Sequence, residues 1–233
     1  MEKTQAAKNS IRNEKAGSYL YKYEQTMWQK KELICGVDEV GRGSLSGPIV
    51  TVAAILKPNS FHPELKDSKK TTPQQRAELF RWSINNCSYS IGINSNHLID
   101  DQNIYKATQT TMTQALYNLL YKAKKQPALI LIDAMPLSLK KTRFKNITIK
   151  SIIQGESKSA SIAAASIIAK VVRDDIMKKL HPLFPGYEIN QHQGYGTKTH
   201  FASIKKYGPS FIHRASFLKK TTEDTNEQLS LFC

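Results

Sequence analysis

The sequence predicts an α/β domain built on a mixed β-sheet, and three observations support this fold class. Short apolar or alternating segments, typical of strands, interleave with longer segments of helical periodicity. The hydrophobic fraction is 40% over 233 residues, which is enough for a packed core. No apolar run is long enough to span a bilayer, so a membrane partner is not expected.

The first predicted strands lie on either side of a glycine-rich turn. Residues 1–30 are polar and basic with a late aromatic cluster, and we expect an extension that ends in a docked helix. The folded domain is placed at 31–217 and begins with the strands ELICGV and PIVTVAAIL. The turn between these strands contains Gly41, Gly43, Gly47 and Pro48.

The remaining elements alternate in type along the chain. A helix is predicted to open at Thr72-Pro73, because proline suits a first helical turn. CSYSIGI, PALILID and NITIKSII are predicted strands, and Asp100–Lys125 is a predicted helix without a breaker. Residues 159–180 form a strong helix whose small residues indicate close packing. A shorter helix follows at Thr197–Tyr207, and 218–233 is predicted to be a flexible polar tail.

The charge of the chain indicates an anionic partner. It has 34 Lys and Arg against 19 Asp and Glu, a net charge of +15 and a pI near 9.7. Nucleic acid is the commonest such partner, because Lys and Arg release the counterions of its phosphates. The alternative is that the charge serves only solubility.

The cysteines and the N-terminus favour a cytoplasmic protein. Cys35, Cys87 and Cys233 are odd in number and widely spread, which suits neither a disulfide framework nor a metal knuckle. The first residues lack the apolar region of a secretory signal.

Four carboxylates follow or end predicted strands. Asp38-Glu39 ends the first strand, Asp133 ends LILID, and Glu156 follows the last strand. Ligand sites of open α/β sheets lie at such strand ends, so these acids are expected to converge. Oxygen ligands of this kind suit Mg²⁺ or Mn²⁺. The alternative for any one of them is a cap or a surface charge.

Several ordered motifs resemble bacterial ribonuclease HII. The segment GVDEVGRGSLSGP resembles the family signature, and further motifs follow in the family's order: DSKK, LIDAM, GESKSASIAAASIIAKVVRD, HQGYGTKTH and IHRASF. The resemblance covers about residue 30 to residue 218. It implies an RNase H-like fold, with a five-stranded mixed sheet flanked by helices and a helical C-terminal part.

The resemblance implies a catalytic set. Asp38, Glu39 and Asp133 would be the metal-binding catalytic carboxylates, with two Mg²⁺ or Mn²⁺ ions in each active site during catalysis. Glu156 would be the fourth ligand, where the family usually has Asp. Its side chain is one methylene longer, so metal spacing or rate could differ from the family norm.

The resemblance also implies a set of substrate-binding residues. Gly41, Arg42 and Gly43 would read the ribose 2′-hydroxyl and contact the adjoining phosphate. Tyr195 would pack on the deoxyribose that follows the ribonucleotide, and Lys69 would approach phosphate. The alternatives from the residues alone are an ordinary tight turn, a core tyrosine and a solvated lysine.

Two further groups are ambiguous. The basic segment 138–150 is either a backbone contact or a solvated strand pair. His192, His200 and His213 could position phosphate, although such residues are more often structural.

The end of the tail resembles the short motif with which bacterial replication and repair proteins bind the DNA sliding clamp. In QLSLF, glutamine would hydrogen-bond and the apolar side chains would fill a groove; the four residues are Gln228, Leu229, Leu231 and Phe232. The alternative is that these apolar residues fold back onto the domain.

Together these features predict an endoribonuclease that hydrolyses RNA in RNA–DNA hybrids. It would cut 5′ of a single ribonucleotide embedded in duplex DNA, leaving 3′-hydroxyl and 5′-phosphate ends. One alternative is a ribonuclease HIII-like enzyme of long hybrids. The other is a non-catalytic or weakened hybrid-binding protein tethered to the sliding clamp.

Overall fold

A computed structural model describes residues 19–218 of the protein. The predicted tail, with QLSLF and Cys233, lies outside these residues except for Leu218, as does most of the N-terminal extension. The strands are β1 Ile34–Val40, β2 Ile49–Leu56, β3 Cys87–Asn94, β4 Leu129–Asp133 and β5 Thr148–Ile152. The helices are α1 Lys22–Gln29, α2 Pro73–Asn86, α3 Asn96–Lys122, α4 Ala160–Leu180, α5 Ile189–His192 and α6 Lys198–Tyr207.

The strands form one mixed sheet in the order β3-β2-β1-β4-β5. The chain enters through an antiparallel meander, since β1 pairs with β2 and β2 with β3 in antiparallel register. The strands β4 and β5 then add in parallel on the other side of β1. The prediction of a five-stranded mixed sheet is confirmed, and the carboxyl ends of β1, β4 and β5 meet at one edge.

The core has one layer on each face of this sheet. Alternate residues of β2 point to opposite faces, as the pleat requires: Val50 and Val52 pack with α4, whereas Ala53 and Ile55 pack with α3. The predicted close packing of the small-residue helix is confirmed at Gly36. A Cβ on this glycine would lie 2.2 Å from the main-chain carbon of Ser161 in α4.

The helix α1 docks on the domain as expected from the sequence. Its Glu24 is buried, with 1% of its surface exposed, and its Oε1 accepts hydrogen bonds from the Ser159 hydroxyl and the Ser161 N–H. These groups belong to the first turn of α4, where main-chain N–H groups have no intrahelical partner. The end of the extension therefore caps the helix that carries much of the core.

The long helix α3 differs from the prediction. It begins at Asn96 rather than Asp100, and Asn103 interrupts it with a left-handed φ of 68°. The Asn103 side chain accepts hydrogen bonds from the N–H groups of Tyr105 and Lys106, so it caps the second part of the helix. The expectation of an unbroken helix was wrong because asparagine tolerates this conformation and supplies its own cap.

No helix among residues 19–218 is long and apolar enough to cross a bilayer.

Candidate active site

The predicted carboxylates converge at the edge where β1 and β4 end. Asp38 and Glu39 lie near the end of β1, and Asp133 is the last residue of β4. Because these strands are parallel neighbours, their carboxyl ends bring the three acids together. Asp38 is only 6% exposed.

Glu156 reaches the same place from a tight turn after β5. Gln154 adopts a left-handed φ of 56°, and the short 3₁₀ helix Gly155–Ser157 follows. The Gly155 N–H donates to Asp133 Oδ1 at 2.8 Å. This bond ties the turn that carries Glu156 directly to the catalytic candidate on β4.

The surroundings of three acids disfavour their charged forms. Burial, followed by the charge of Glu39, raises the pKa of Asp38 well above its ordinary value. Burial also raises the pKa of Glu39, although Arg42 acts in the opposite direction. Burial likewise raises the pKa of Asp133, to about 6. The site therefore favours the protonated forms of these three carboxyl groups more than water would.

Glu156 shows the opposite behaviour. Burial acts to raise its pKa, but hydrogen bonds from its own main-chain amide and the Asp133 carboxyl, with the charge of Lys69, lower it overall. Lys69 Nζ lies 3.6 Å from Glu156 Oε1. Asp133 and Glu156 thus form a carboxyl–carboxylate pair, in which Asp133 is the member that binds a proton more readily.

The four carboxyl groups suit divalent metal ions whose remaining ligands are oxygens from elsewhere. Among residues 19–218, no three His, Cys, Asp or Glu side chains form a ready-made metal cage. Within the same residues, Glu39 Oε2 and Glu156 Oε2 are nevertheless buried and have no hydrogen-bond partner. Mg²⁺ binds through a few carboxylates and takes its remaining ligands from water and substrate phosphate. Four converging acids, two of which have an unpartnered oxygen, suit that mode of binding.

The segment from Gly41 to Gly43, which is predicted to read the ribose and is called the reading loop or glycine loop below, contains two glycines with different roles. Gly41 has a φ of 96°, and a Cβ there would lie 2.3 Å from Arg173 Nε, so packing requires glycine. Gly43 is exposed, and in the described part of the chain no atom beyond its two neighbours lies within 4 Å of its Cβ position, which leaves its main chain open to a ligand. Arg42 between them is 40% exposed and lies 3.5 Å from Glu39 Oε1. This loop therefore lies beside the acids.

Tyr195 is held against the same loop. Ser44 and Tyr195 form an isolated antiparallel bridge, and the Leu45 N–H donates to the Gly194 carbonyl at 2.8 Å. Lys170 Nζ lies 5.8 Å from the centre of the tyrosine ring. The structure thus brings together the two motifs that the sequence assigns to substrate recognition.

The three histidines are buried structural groups. His213 Nδ1 accepts from the Ser210 N–H, so its Nε2 donates to His200 Nε2 at 3.1 Å, and His200 Nδ1 donates to the Tyr195 carbonyl. The His192 ring stacks on His200 with the ring centres 4.1 Å apart. Burial lowers the pKa of His200 to about 4 and also lowers the pKa of His213, so the neutral forms of these two rings are favoured. Through the hydrogen bond from His200 to the Tyr195 carbonyl, the histidines stabilise the loop that carries Tyr195.

The basic segment 138–150 is not a strand pair. Residues 138–147 form turns, and the last strand begins only at Thr148. Leu139 and Phe144 are buried, while Arg143 stacks over the Tyr121 ring at 4.2 Å. The apolar anchors bend the segment into a loop, which the charges alone did not indicate.

Three polar residues at the site escaped the sequence analysis. Ser166 acts to lower the pKa of Asp38, and Arg173 and Arg214 lie behind the reading loop. Ser166 and Arg173 are in helical phase with buried Ile162, Ala169 and Met177, so they share the buried face of α4. A polar residue in phase with an apolar stripe was the signal that could have identified them.

The chain matches the family model for ribonuclease HII over residues 35–220. The ribonuclease HII of Lactobacillus gasseri is 44% identical over 198 residues, which cover 84% of this chain and 75% of that protein. The ribonuclease HII of Chlamydia abortus is 43% identical over 196 residues, covering 83% and 88% of the two chains.

Solved structures share the fold. The ribonuclease H2 of Pyrococcus horikoshii aligns with a TM-score of 0.63 at 25% identity, covering 79% of this chain and 93% of that one. The ribonuclease HII of Archaeoglobus fulgidus, in a complex with PCNA, gives 0.64 at 21% identity, covering 78% and 94%. Bst-RNase HIII with Mn²⁺ gives 0.59 at 20%, covering 79% and 67%. With the family match and these relatives, the chain belongs to the ribonuclease HII family.

Proposed function

We propose that the protein is a metal-dependent endoribonuclease that hydrolyses RNA in RNA–DNA hybrids and nicks duplex DNA 5′ of an embedded ribonucleotide. One observation carries this proposal. Four acids converge at adjacent strand ends, beside a glycine loop and a tyrosine, in a chain of net charge +15. The basic surface suits a polyanion, and the acidic cluster suits the metal ions that cleave it.

Asp38, Glu39, Asp133 and Glu156 would hold two Mg²⁺ or Mn²⁺ ions. Such ions, when bound, acidify a coordinated water and neutralise charge on the leaving oxygen, which gives 3′-hydroxyl and 5′-phosphate ends. The unpartnered oxygens of Glu39 and Glu156 support this assignment. Bst-RNase HIII, which shares the fold, contains Mn²⁺.

The other predicted residues would bind the substrate. Gly43 offers open main chain to the ribose 2′-hydroxyl, the group that distinguishes RNA from DNA. Gly41 shapes that loop, and Arg42, part-exposed beside Glu39, would contact the adjoining phosphate. Lys69 points its amine at the acids from an exposed position, where it would meet a phosphate. Tyr195 would pack on the sugar after the ribonucleotide.

One cleavage assay tests the proposal. A DNA duplex with one ribonucleotide is incubated with the protein in Mg²⁺ or Mn²⁺, and the products are mapped. Nicking 5′ of the ribonucleotide supports the proposal. Cutting of long hybrids alone would instead indicate ribonuclease HIII-like activity, and binding without nicking in either metal would indicate a binding protein.

A surface variant provides the control for this assay. Asp175 lies on the exposed part of α4 and pairs with Lys179 at 2.7 Å. Asp175→Asn removes a carboxylate from the same protein without touching the site, so its nicking rate should equal that of the wild type.

We propose further that QLSLF at the end of the chain binds a DNA sliding clamp. Its glutamine and apolar residues follow a polar stretch, KKTTEDTNE, that would give the motif reach. The fold relative from A. fulgidus occurs in a complex with PCNA, which is a precedent for a protein partner. Fluorescence-anisotropy titration of the tail peptide against sliding clamp tests this, and an absence of saturable binding at tens of micromolar would contradict it.

We also propose that this activity takes place in the cytoplasm. Cys35 and Cys87 are buried and form no disulfide within residues 19–218, which is compatible with a reducing compartment. Fractionation of cells that express a tagged chain would test this placement.

A further inference from the structure

Two arginine side chains are completely buried behind the reading loop. Arg173 and Arg214 each have 0% of their surface exposed. Among residues 19–218, no carboxylate oxygen lies within 4 Å of either guanidinium, and every hydrogen bond that they donate goes to a main-chain carbonyl. The charges of Asp174 and Asp100 act on Arg173 and Arg214 from beyond 4 Å, so burial of the two guanidinium groups remains costly and calls for a specific role.

Arg173 hydrogen-bonds both to the segment that follows the glycine loop and to the loop that carries Tyr195. Its Nε donates to the Pro48 carbonyl at 3.0 Å and its Nη2 to the Ser46 carbonyl at 3.1 Å. Its Nη1 donates to the Gln193 carbonyl at 2.9 Å, two residues before Tyr195. The guanidinium carbon also lies 5.5 Å from the Tyr195 ring centre. One planar group thus fixes the spacing between the glycine loop and the tyrosine.

Arg214 orients a peptide group within the glycine loop. Its Nη1 donates to the Arg42 carbonyl at 2.9 Å, and its Nη2 donates to the Gly47 carbonyl at 3.0 Å. In a trans peptide, the carbonyl of one residue and the N–H of the next point in opposite directions, and the described chain has no cis peptide. Because the Arg42 carbonyl points inward, the Gly43 N–H points away from Arg214.

The outward side of that peptide is the open side of the loop, since the Cβ position of Gly43 has no neighbour within 4 Å. We infer that Arg173 and Arg214 are positioning residues for ribonucleotide selection. Arg214 aims the Gly43 N–H at the ribose, and Arg173 holds Tyr195 at a fixed distance from it. This inference rests on the proposed function, because it assigns the means by which that site reads the 2′-hydroxyl.

Arginine is needed at these positions because its planar guanidinium group can donate hydrogen bonds to several carbonyls at once. Arg214→Met removes the fork while keeping an apolar stem, and Arg214→Lys keeps the charge but not the geometry. The same pair of variants is made at Arg173. Leu120→Ala, in the core layer on the other face of the sheet, serves as the control that lowers stability without touching the loops.

The first measurement is selectivity. Anisotropy gives the affinities for a duplex with one ribonucleotide and for the same all-DNA duplex, with Ca²⁺ replacing the catalytic metal. We expect the affinity ratio to fall about tenfold in Arg214→Met, about what one hydrogen bond to the ribose supplies. Arg214→Lys should have an affinity ratio between those of Arg214→Met and the wild type. Leu120→Ala should have the wild-type ratio even though its melting temperature falls about as much as that of Arg214→Met. An unchanged ratio in Arg214→Met, or an equal loss in Leu120→Ala, would overturn the inference.

The second measurement needs no substrate. The Leu45 N–H donates to the Gly194 carbonyl and the Gly47 N–H donates to the Ile212 carbonyl, so both amides report on loop attachment. Hydrogen exchange at these amides should accelerate at least about tenfold in Arg173→Met relative to Leu120→Ala. Unchanged exchange would refute the positioning role. A wild type without preference for the ribonucleotide would instead refute the proposed function and leave this readout valid.

Discussion

Replacement of Asp133 by asparagine should stabilise the metal-free protein while abolishing cleavage. The asparagine side chain would keep the oxygen that accepts from the Gly155 N–H and would have the same shape as the aspartate. Its amide could donate to Glu156, as the protonated Asp133 carboxyl does. The variant therefore removes one thing, the charge that the wild-type site disfavours.

The magnitude follows from the pKa of Asp133, which burial raises from 3.8 to about 6. At pH 7 this displacement corresponds to about 3 kcal/mol of lost stability. Because the side chain is only partly buried, solvent screening reduces the effect to about 1 kcal/mol, or about 2–4 °C in melting temperature. The folded protein binds the proton more tightly, so stability falls as the pH rises from 3.8 through 6. The gain from asparagine should therefore be largest above pH 6 and vanish below pH 4.

Thermal unfolding in EDTA at pH 7.5 and pH 5 tests this reasoning. Asp133→Asn should melt higher than the wild type at pH 7.5, by about twice its advantage at pH 5. Glu156→Gln is the matched control, because the pKa of Glu156 is lowered and its charge is favoured. That variant should not gain stability. A melting temperature of Asp133→Asn at or below the wild-type value at pH 7.5 would refute the argument.

Three further substitutions give distinct outcomes. Gly36→Ala should lower the free energy of unfolding by about 2–3 kcal/mol, because its methyl would overlap the Ser161 main chain, and urea titration measures this. Thr72→Ala should cost about 1 kcal/mol in the same titration by removing the capping box with Gln75, with nicking unchanged. Glu156→Asp should slow nicking by up to about 10²-fold, since the shorter side chain draws back from Lys69; a faster single-turnover rate would contradict this.

The sequence predicted an element of the fold correctly wherever a residue type at that position had a single physical explanation. Thr72-Pro73 marked the start of α2, and the apolar runs before Asp38 and Asp133 marked strands whose ends converge. Asn103 was missed because its effect depends on a left-handed conformation that no periodicity reveals. The loop 138–147 was ambiguous for a related reason, since only packing shows that Leu139 and Phe144 point inward.

The site could be predicted less completely than the fold. Acids at strand ends could be found from the sequence because strand direction alone brings them together. The roles of Arg173 and Arg214 could not, because their partners are carbonyls far away in the chain, and a carbonyl has no sequence signature. Gly41 shows the same limit: the sequence indicates a turn, but only the structure shows that Arg173 occupies the space of a side chain.

The net charge of +15 conceals two clusters of opposite sign beside the same loop, namely the acids at the strand ends and the two buried arginines. Burial raises the pKa of Asp38, Glu39 and Asp133, so the free protein disfavours the anions that a metal ion requires. Behind the adjacent loop, Arg173 and Arg214 are buried cations whose hydrogen bonds within residues 19–218 all go to main-chain carbonyls, with the Tyr195 and Phe217 rings close by. Either cluster alone would lower stability. A metal ion at the acids and a phosphodiester bound over the loop in front of the arginines would offset both losses of stability. The charged groups that lower the stability of the free protein are therefore the ones that metal and substrate stabilise in the complex.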